Sequence, residues 1–242
     1  MDPHFETMSQ SEDLRKVFYH TNTIASPADI VSALVPLIQD STTVTFPRTL
    51  IKYVGKIANE RPRDTATICK ALSTLLNNSE IRNKQLAAPA YGSNFSMTFN
   101  RAFSLFLAEE ISDGLDDVYS EEENGNLSID STNIRLTAAL LSASTIKHNL
   151  QSVSERVPLH IMSLGLQDPD PSVGSEPEKN EVFGVVAMIH IAIVGDRIRE
   201  TMKLNFSGDV TQALKSLKDK GVFKSPSSVK LLEVRLIYVT IP

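Results

Sequence analysis

The chain has no tryptophan, one cysteine and ten glycines, and each scarcity removes a class of chemistry. The single thiol, Cys69, excludes an internal disulfide framework and a zinc site built on thiolates. The glycines form neither a Gly-x-Gly-x-x-Gly fingerprint nor a Gly-Lys-Ser/Thr phosphate loop, which argues against the common dinucleotide and P-loop sites. The Gly-x-Ser-x-Gly elbow of hydrolases is also missing. Aromatic residues make up 6% of the chain, fewer than carbohydrate clefts or base-stacking platforms on sheets usually carry. The longest apolar stretch, Val182 to Val194, is interrupted by Gly184 and His190. It falls short of the roughly 20 residues a membrane-spanning helix needs, so no membrane partner is expected. No basic flank and apolar core open the chain. The expectation is an intracellular protein, cytoplasmic or nuclear and not secreted, with residues 1–8 reading as a leader or tag-like segment. Asn-x-Ser matches at Asn77, Asn94, Asn126 and Asn205 then read as chance.

What is present is ordinary globular material: 41% hydrophobic and 22% charged residues, enough for a buried core. The net charge of -5 favours solubility and argues against a simple nucleic-acid binder. Helical signals dominate. Ser26-Pro27-Ala28-Asp29 has a cap, a first-turn proline and an acid in the order of a helix start. Ile30, Leu34 and Ile38 follow at helical spacing, and Pro36 should kink or end that helix. Further helices are expected from Thr45 to Pro62, from Asp64 to Asn78, and from Asn94 to Ile111 with a stop at Asp113-Gly114. Residues 116–130 read as an acidic linker.

A long helix capped by Ser131 follows, then a shorter one from Pro158 to Gln167 and a proline-rich loop through Asn180. Glu181 to Phe206 reads as helix in preference to strand by its length. Val210 to Lys220 should end at Gly221, and Ser225-Pro226 should open a last element, with a minor strand as an alternative near the C-terminus. The expected fold is therefore all-α: an irregular multi-helix bundle or helix-hairpin stack. It would have an N-terminal lobe over residues 9–115 and a C-terminal lobe over residues 131–242.

Few residues suggest catalysis. Cys69 reads as a small core residue. His190 sits in an apolar run and reads as a hydrogen-bonded core histidine, while His148 and His160 are the only catalytic candidates. The histidines fit no metal spacing such as His-Glu-x-x-His, and neither a metal nor a cofactor is expected.

The charge map is more informative. Residues 41–108 carry nine Lys/Arg against three acids, and the next fifteen residues carry eight acids and no base. Arg48, Lys52 and Lys56 are four apart and share one helix face, which Arg61 and Arg63 continue. Asp116, Asp117, Glu121, Glu122 and Glu123 form the opposing acidic contact loop. The leading expectation is a non-enzymatic protein-interaction or self-assembly protein, in which the acidic loop of one copy docks on the basic face of another. A second reading lays single-stranded RNA along the same face, with Tyr53 and Tyr91 offered for base stacking. A third is an enzyme without a recognisable motif, built around His148 or His160.

Asp13-Leu14-Arg15-Lys16-Val17 and Ile24-Ala25-Ser26-Pro27-Ala28-Asp29-Ile30 resemble the N-terminal region of coat proteins from flexible filamentous plant viruses. Those are helical proteins that coat single-stranded RNA, so the resemblance implies a nucleocapsid role. The Phe-Asp-Phe segment of that family's RNA pocket is absent.

Overall fold

Ser26 and Asp29 make the reciprocal cap that their spacing predicts. The Asp29 amide donates to Ser26 Oγ at 3.3 Å, and the Ser26 amide donates to Asp29 Oδ2 at 3.1 Å. Such a capping box contributes about 1 kcal/mol to the helix it opens. The structure, a computed structural model, describes residues 3–19, 26–92, 94–116 and 129–150. It also describes residues 185–186, 189–190, 193–194, 218–219, 221, 226 and 229. The chain divides into two compact units, Met1–Asp113 with Ser144–Ser154, and Gly114–Ala143 with Glu155–Pro242.

The molecule is mostly helical, as its periodicity predicts. The first unit holds α1 (Pro3–Tyr19), α2 (Pro27–Asp40), α3 (Thr45–Glu60), a 3-10 turn (Pro62–Asp64), α4 (Thr65–Asn77) and the short α5 (Ser79–Asn83). After these come β1 (Gln85–Ala87), β2 (Ser96–Thr98) and α6 (Phe99–Asp116). Helix α2 packs on α1 and α4, and α1 also packs on α3. Ile30, Leu34 and Ile38 from α2 are buried, as are Leu50, Val54 and Ile57 from α3, Ile68, Leu72 and Leu75 from α4, and Phe99, Phe103 and Leu107 from α6. Each set repeats at three- and four-residue spacing, so one stripe per helix is removed from water. Each fully buried aliphatic or aromatic side chain contributes about 1.5–3 kcal/mol.

Several boundaries differ from the sequence expectation. Residues 3–8 belong to α1, whose helix continues without a break to Tyr19. Pro36 neither ends α2 nor displaces its core stripe. It is exposed, and so is Ser32, whose carbonyl loses the helical bond and can take water instead. Burial of Ile38 in the following turn carries the helix on.

The helix expected from Asn94 starts only at Phe99, because Ser96–Thr98 pairs antiparallel with Gln85–Ala87 in the register Leu86↔Met97. Asp113-Gly114 does not stop α6, which runs to Asp116. A glycine ends a helix by adopting a left-handed backbone, as Gly221 does at φ 67°, whereas Gly114 stays within α6. Asp116 is therefore a helical residue rather than the first of a loop, and α7 (Ile129–Lys147) has already begun two residues before the expected cap at Ser131.

A parallel bridge between Thr43 and Ala87 extends the small sheet on its other side. The Val44 amide donates to the Ala87 carbonyl at 3.0 Å, and the Ala87 amide donates to the Thr42 carbonyl at 2.9 Å. In the first unit, α7 ends in a Schellman-type turn. Asn149 takes a left-handed φ of 55°, and the Leu150 amide donates to the Thr145 carbonyl at 3.0 Å.

In the second unit, α7 buries Ala138, Ala139, Leu141, Ser142 and Ala143. Residues 185–186, 189–190 and 193–194 are helical, as the length of that run predicts. Val186, His190 and Val194 are buried four residues apart, while Val185, Ile189 and Ile193 are half-buried. Lys218 and Asp219 are helical, and Gly221 follows with φ +67° and its amide on the Lys218 carbonyl at 2.9 Å, the stop its position predicts. Pro226 and Val229 are helical too. The expected helix at 158–167, the proline-rich loop and the alternative C-terminal strand lie outside the described residues. The sheet that is seen lies at residues 85–98. Among the described residues no helix is long and apolar enough to cross a membrane.

Candidate functional site

Helix α3 turns its apolar stripe inward, so its cations must face water. Arg48, Lys52 and Lys56 are all exposed, and as one i, i+4 row they form a continuous positive stripe. Arg61 follows at the helix end, partly buried, and Arg63 lies exposed in the 3-10 turn. The sequence-predicted basic face therefore exists as a surface, but its members differ in how far they are engaged.

At one end, Arg48 reaches α6. Its guanidinium lies 4.5 Å from the Phe106 ring centroid, and its Nη2 is 3.9 Å from Glu109 Oε2. Both charged groups are about half exposed, so the ion pair itself contributes on the order of 0–1 kcal/mol, and the stacking a similar amount. About two turns further along α3, the Glu110 carboxylate lies directly over Gly55, where a Cβ would collide with it. Burial raises the Glu110 pKa, the neighbouring Asp113 raises it further, and Lys52 partly opposes the shift. Acidic side chains of α6 thus sit beside the upper half of the basic row.

At the other end, the cations hold α1. The Tyr19 hydroxyl donates to Glu60 Oε2 at 2.7 Å, and its ring lies 5.0 Å from the Arg61 guanidinium and 5.8 Å from Lys56 Nζ. Burial, followed by the bond to Glu60, pushes the Tyr19 phenol up to about 12. Arg61 Nη2 donates to the Phe18 carbonyl at 2.6 Å, satisfying the C-terminal end of α1. Arg61 Nε lies 3.4 Å from Asp64 Oδ2, a charge pairing without hydrogen-bond geometry. Lys56 Nζ is 3.8 Å from Glu60. Lys52 and Arg63 are left exposed with no ion pair among the described residues.

The two tyrosines offered for stacking part company. Tyr53 is committed to α1, with its hydroxyl 2.9 Å from both Ser11 Oγ and the Ser11 carbonyl and its ring edge-on to Tyr19. Tyr91 is 49% exposed and lies 6.0 Å, centroid to centroid, from the ring of Phe95, itself 39% exposed. Sequence reasoning placed Phe95 on the apolar face of a helix and missed it as a surface residue. Pro89 and Gly92 around Tyr91 were the signal for a loop there.

Of the acidic contact loop, Asp116 is the last residue of α6, while Asp117, Glu121, Glu122 and Glu123 lie outside the described residues. Glu109 and Asp113, exposed on the outer face of α6, are the described part of that acidic territory.

The residues with reactive side chains are mostly withdrawn from solvent. Cys69 is fully buried, and burial pushes its thiol up to about 12, so it is the core residue its context predicts. His190 is fully buried and hydrogen-bonded, again as predicted. The Val186 carbonyl, 2.9 Å away, can only accept, so Nδ1 carries the proton; Nε2 then accepts from the Ser142 hydroxyl at 3.1 Å. A serine beside a histidine is nucleophile chemistry, but both side chains have no exposure at all. His148 is part-buried, and its pKa is lowered by burial and then by Lys147 and Lys70. His160 lies outside the described residues. Among the described residues no group of three or more His, Cys, Asp or Glu side chains is placed to hold a metal. No protein-family model, no curated protein and no solved structure matches the chain.

Proposed function

We propose that this chain is a helical interaction protein that self-associates through the α3 basic row, taking carboxylate-bearing segments of a second copy. One observation carries the reading. The row accepts an acidic helix within the chain, through Arg48 and Glu109, yet Lys52 and Arg63 remain exposed without an ion pair among the described residues. The complementary charge is abundant in the same sequence, with eight acids between Glu109 and Glu123. Oppositely charged patches on one chain favour head-to-tail contacts, and charge steers encounter more than it adds affinity. A single-stranded RNA along α3 would instead require Arg48, Lys56 and Arg61 to exchange their present partners for phosphates.

The test is light scattering after size exclusion, over a series of protein and salt concentrations. Self-association that weakens as salt rises is expected, because exposed charges are screened over roughly 10 Å at 0.1 M salt. Lys52→Glu with Arg63→Glu should weaken it about tenfold, equivalent to about 1.4 kcal/mol. Neither residue packs in the core, but Lys52 faces the Glu110 carboxylate, so circular dichroism and the melting temperature check that the double variant stays folded. A monomer at every concentration in low salt, or association indifferent to both substitutions, sinks the reading.

A further inference from the structure

The β1–β2 hairpin presents two aromatic rings to solvent with no role in the fold. The Ala88 amide donates to the Phe95 carbonyl at 2.8 Å, which adds one rung beyond the paired strands and fixes Phe95 at the end of the ladder. Gly92, at φ 139°, has a backbone that other residues rarely adopt. Its amide donates to the Pro89 carbonyl, and its carbonyl accepts from the Phe95 amide. The loop geometry therefore holds Tyr91 beside Phe95, their ring planes inclined at 49°. Core demand does not explain these rings. The inward side of the hairpin is already filled by Leu86 and Met97, which are buried.

The chain segments that form and flank the hairpin carry charge of one sign. From Ile81 to Ala108 there are three cations, Arg82, Lys84 and Arg101, and no carboxylate. Residues 41–48, which bridge to β1, also carry no acid. Arg82 and Lys84 lie at the end of α5 and Arg101 in the first turn of α6, two elements joined where the Phe99 amide donates to the Lys84 carbonyl at 2.7 Å. Arg82 and Arg101 are exposed and make no ion pair among the described residues. Lys84 Nζ bonds the Gln39 carbonyl. Asp40, Glu80 and Glu109 are the carboxylates that bracket these segments in sequence, and Glu109 faces Arg48.

We infer that the hairpin is a binding site for single-stranded nucleic acid, with bases stacked on Tyr91 and Phe95 and phosphates held by Arg82 and Arg101. Flat aromatic faces flanked by exposed cations suit a ligand that alternates flat bases with anionic links. Paired bases stack on each other and withhold their faces, so the strand must be single. The site is separate from the α3 row and does not depend on self-association.

Because the chain lacks tryptophan, its intrinsic fluorescence comes from five tyrosines, and the part of it lost in Tyr91→Phe reports the site. An unlabelled oligouridylate of about twelve nucleotides, long enough for one site, should quench it on titration. Anisotropy of the labelled strand gives the affinity. Tyr91→Ala with Phe95→Ala should weaken binding about tenfold or more, whereas Tyr91→Phe, which keeps the ring, should stay close to wild type. Arg82→Gln with Arg101→Gln should weaken binding and flatten the salt dependence by about 0.7 for each phosphate no longer neutralised. Circular dichroism checks that each variant is folded.

No binding by the wild-type protein at low salt overturns the proposal. Wild-type affinity in the folded double-alanine variant overturns it too. So does polyglutamate binding through Tyr91 and Phe95 where the oligonucleotide does not bind, since that assigns the site to an acidic peptide. Failure of self-association alone leaves this site standing, and failure here leaves the α3 reading standing.

Discussion

His190 shows how one buried proton acceptor makes stability depend on pH. Burial pulls its pKa down to about 4, partly offset by the bond to the Val186 carbonyl, so the folded chain keeps the ring neutral. The unfolded chain protonates near 6.5. Stability from this residue is therefore complete above pH 6.5 and lost as pH falls through 4, on the order of 3 kcal/mol in all. Denaturant unfolding measured across that interval should show the loss, and His190→Gln should flatten it. An unchanged pH profile in the variant would show that the ring is not held neutral. The bond from the Ser142 hydroxyl ties the residue to α7 in the same unit.

At the scale of elements, the α3–α6 charge contact works in the opposite sense. Glu110 has a raised pKa, so the folded chain holds its proton to higher pH than the unfolded chain does. Its contribution is present below the ordinary carboxylate range and lost as pH rises through the folded value. Glu110→Gln should therefore raise the melting temperature at neutral pH and leave it unchanged near pH 4. Because water screens one side of the carboxylate, the gain should not exceed about 1 kcal/mol. A lower melting temperature at pH 7 would mean that attraction to Lys52 outweighs burial.

Which elements were legible in the sequence follows from how each is built. Ser26 with Asp29, the α3 and α4 stripes, and Gly221 as a stop are local signals, and the structure follows them. Strands of three residues such as Gln85–Ala87 carry too few positions for alternation to show, and their pairing depends on a partner in Ser96–Thr98. Phe95 reads as part of a helical face because Phe99 and Phe103 repeat its spacing, while the pairing that removes it from the helix is tertiary. The cations at 48, 52 and 56 were visible as a face. Their division between α6 and α1 was not, since Glu109 and Tyr19 are remote in sequence.

For the whole molecule, two units with opposite responses should separate on acidification. As pH drops from 6.5 towards 4, the unit holding His190 loses support while the unit holding Glu110 gains it. Hydrogen exchange in that interval should show amides around Ser142 and Val186 losing protection before those of α3 and α4. Simultaneous loss in both units would contradict independent stability.

The bridge at Ala87 also governs the order of assembly. Its two main-chain bonds join residues 42–44 to residue 87 and so enclose α3, α4 and α5 in a single closed excursion of the chain. Closing about forty residues costs on the order of 3 kcal/mol in chain entropy, more than two main-chain bonds of about 1 kcal/mol each return. The closure should therefore follow the folding barrier rather than build it. Removing the Ala87 donor with Ala87→Pro should speed unfolding in stopped-flow measurements and leave the refolding rate nearly unchanged.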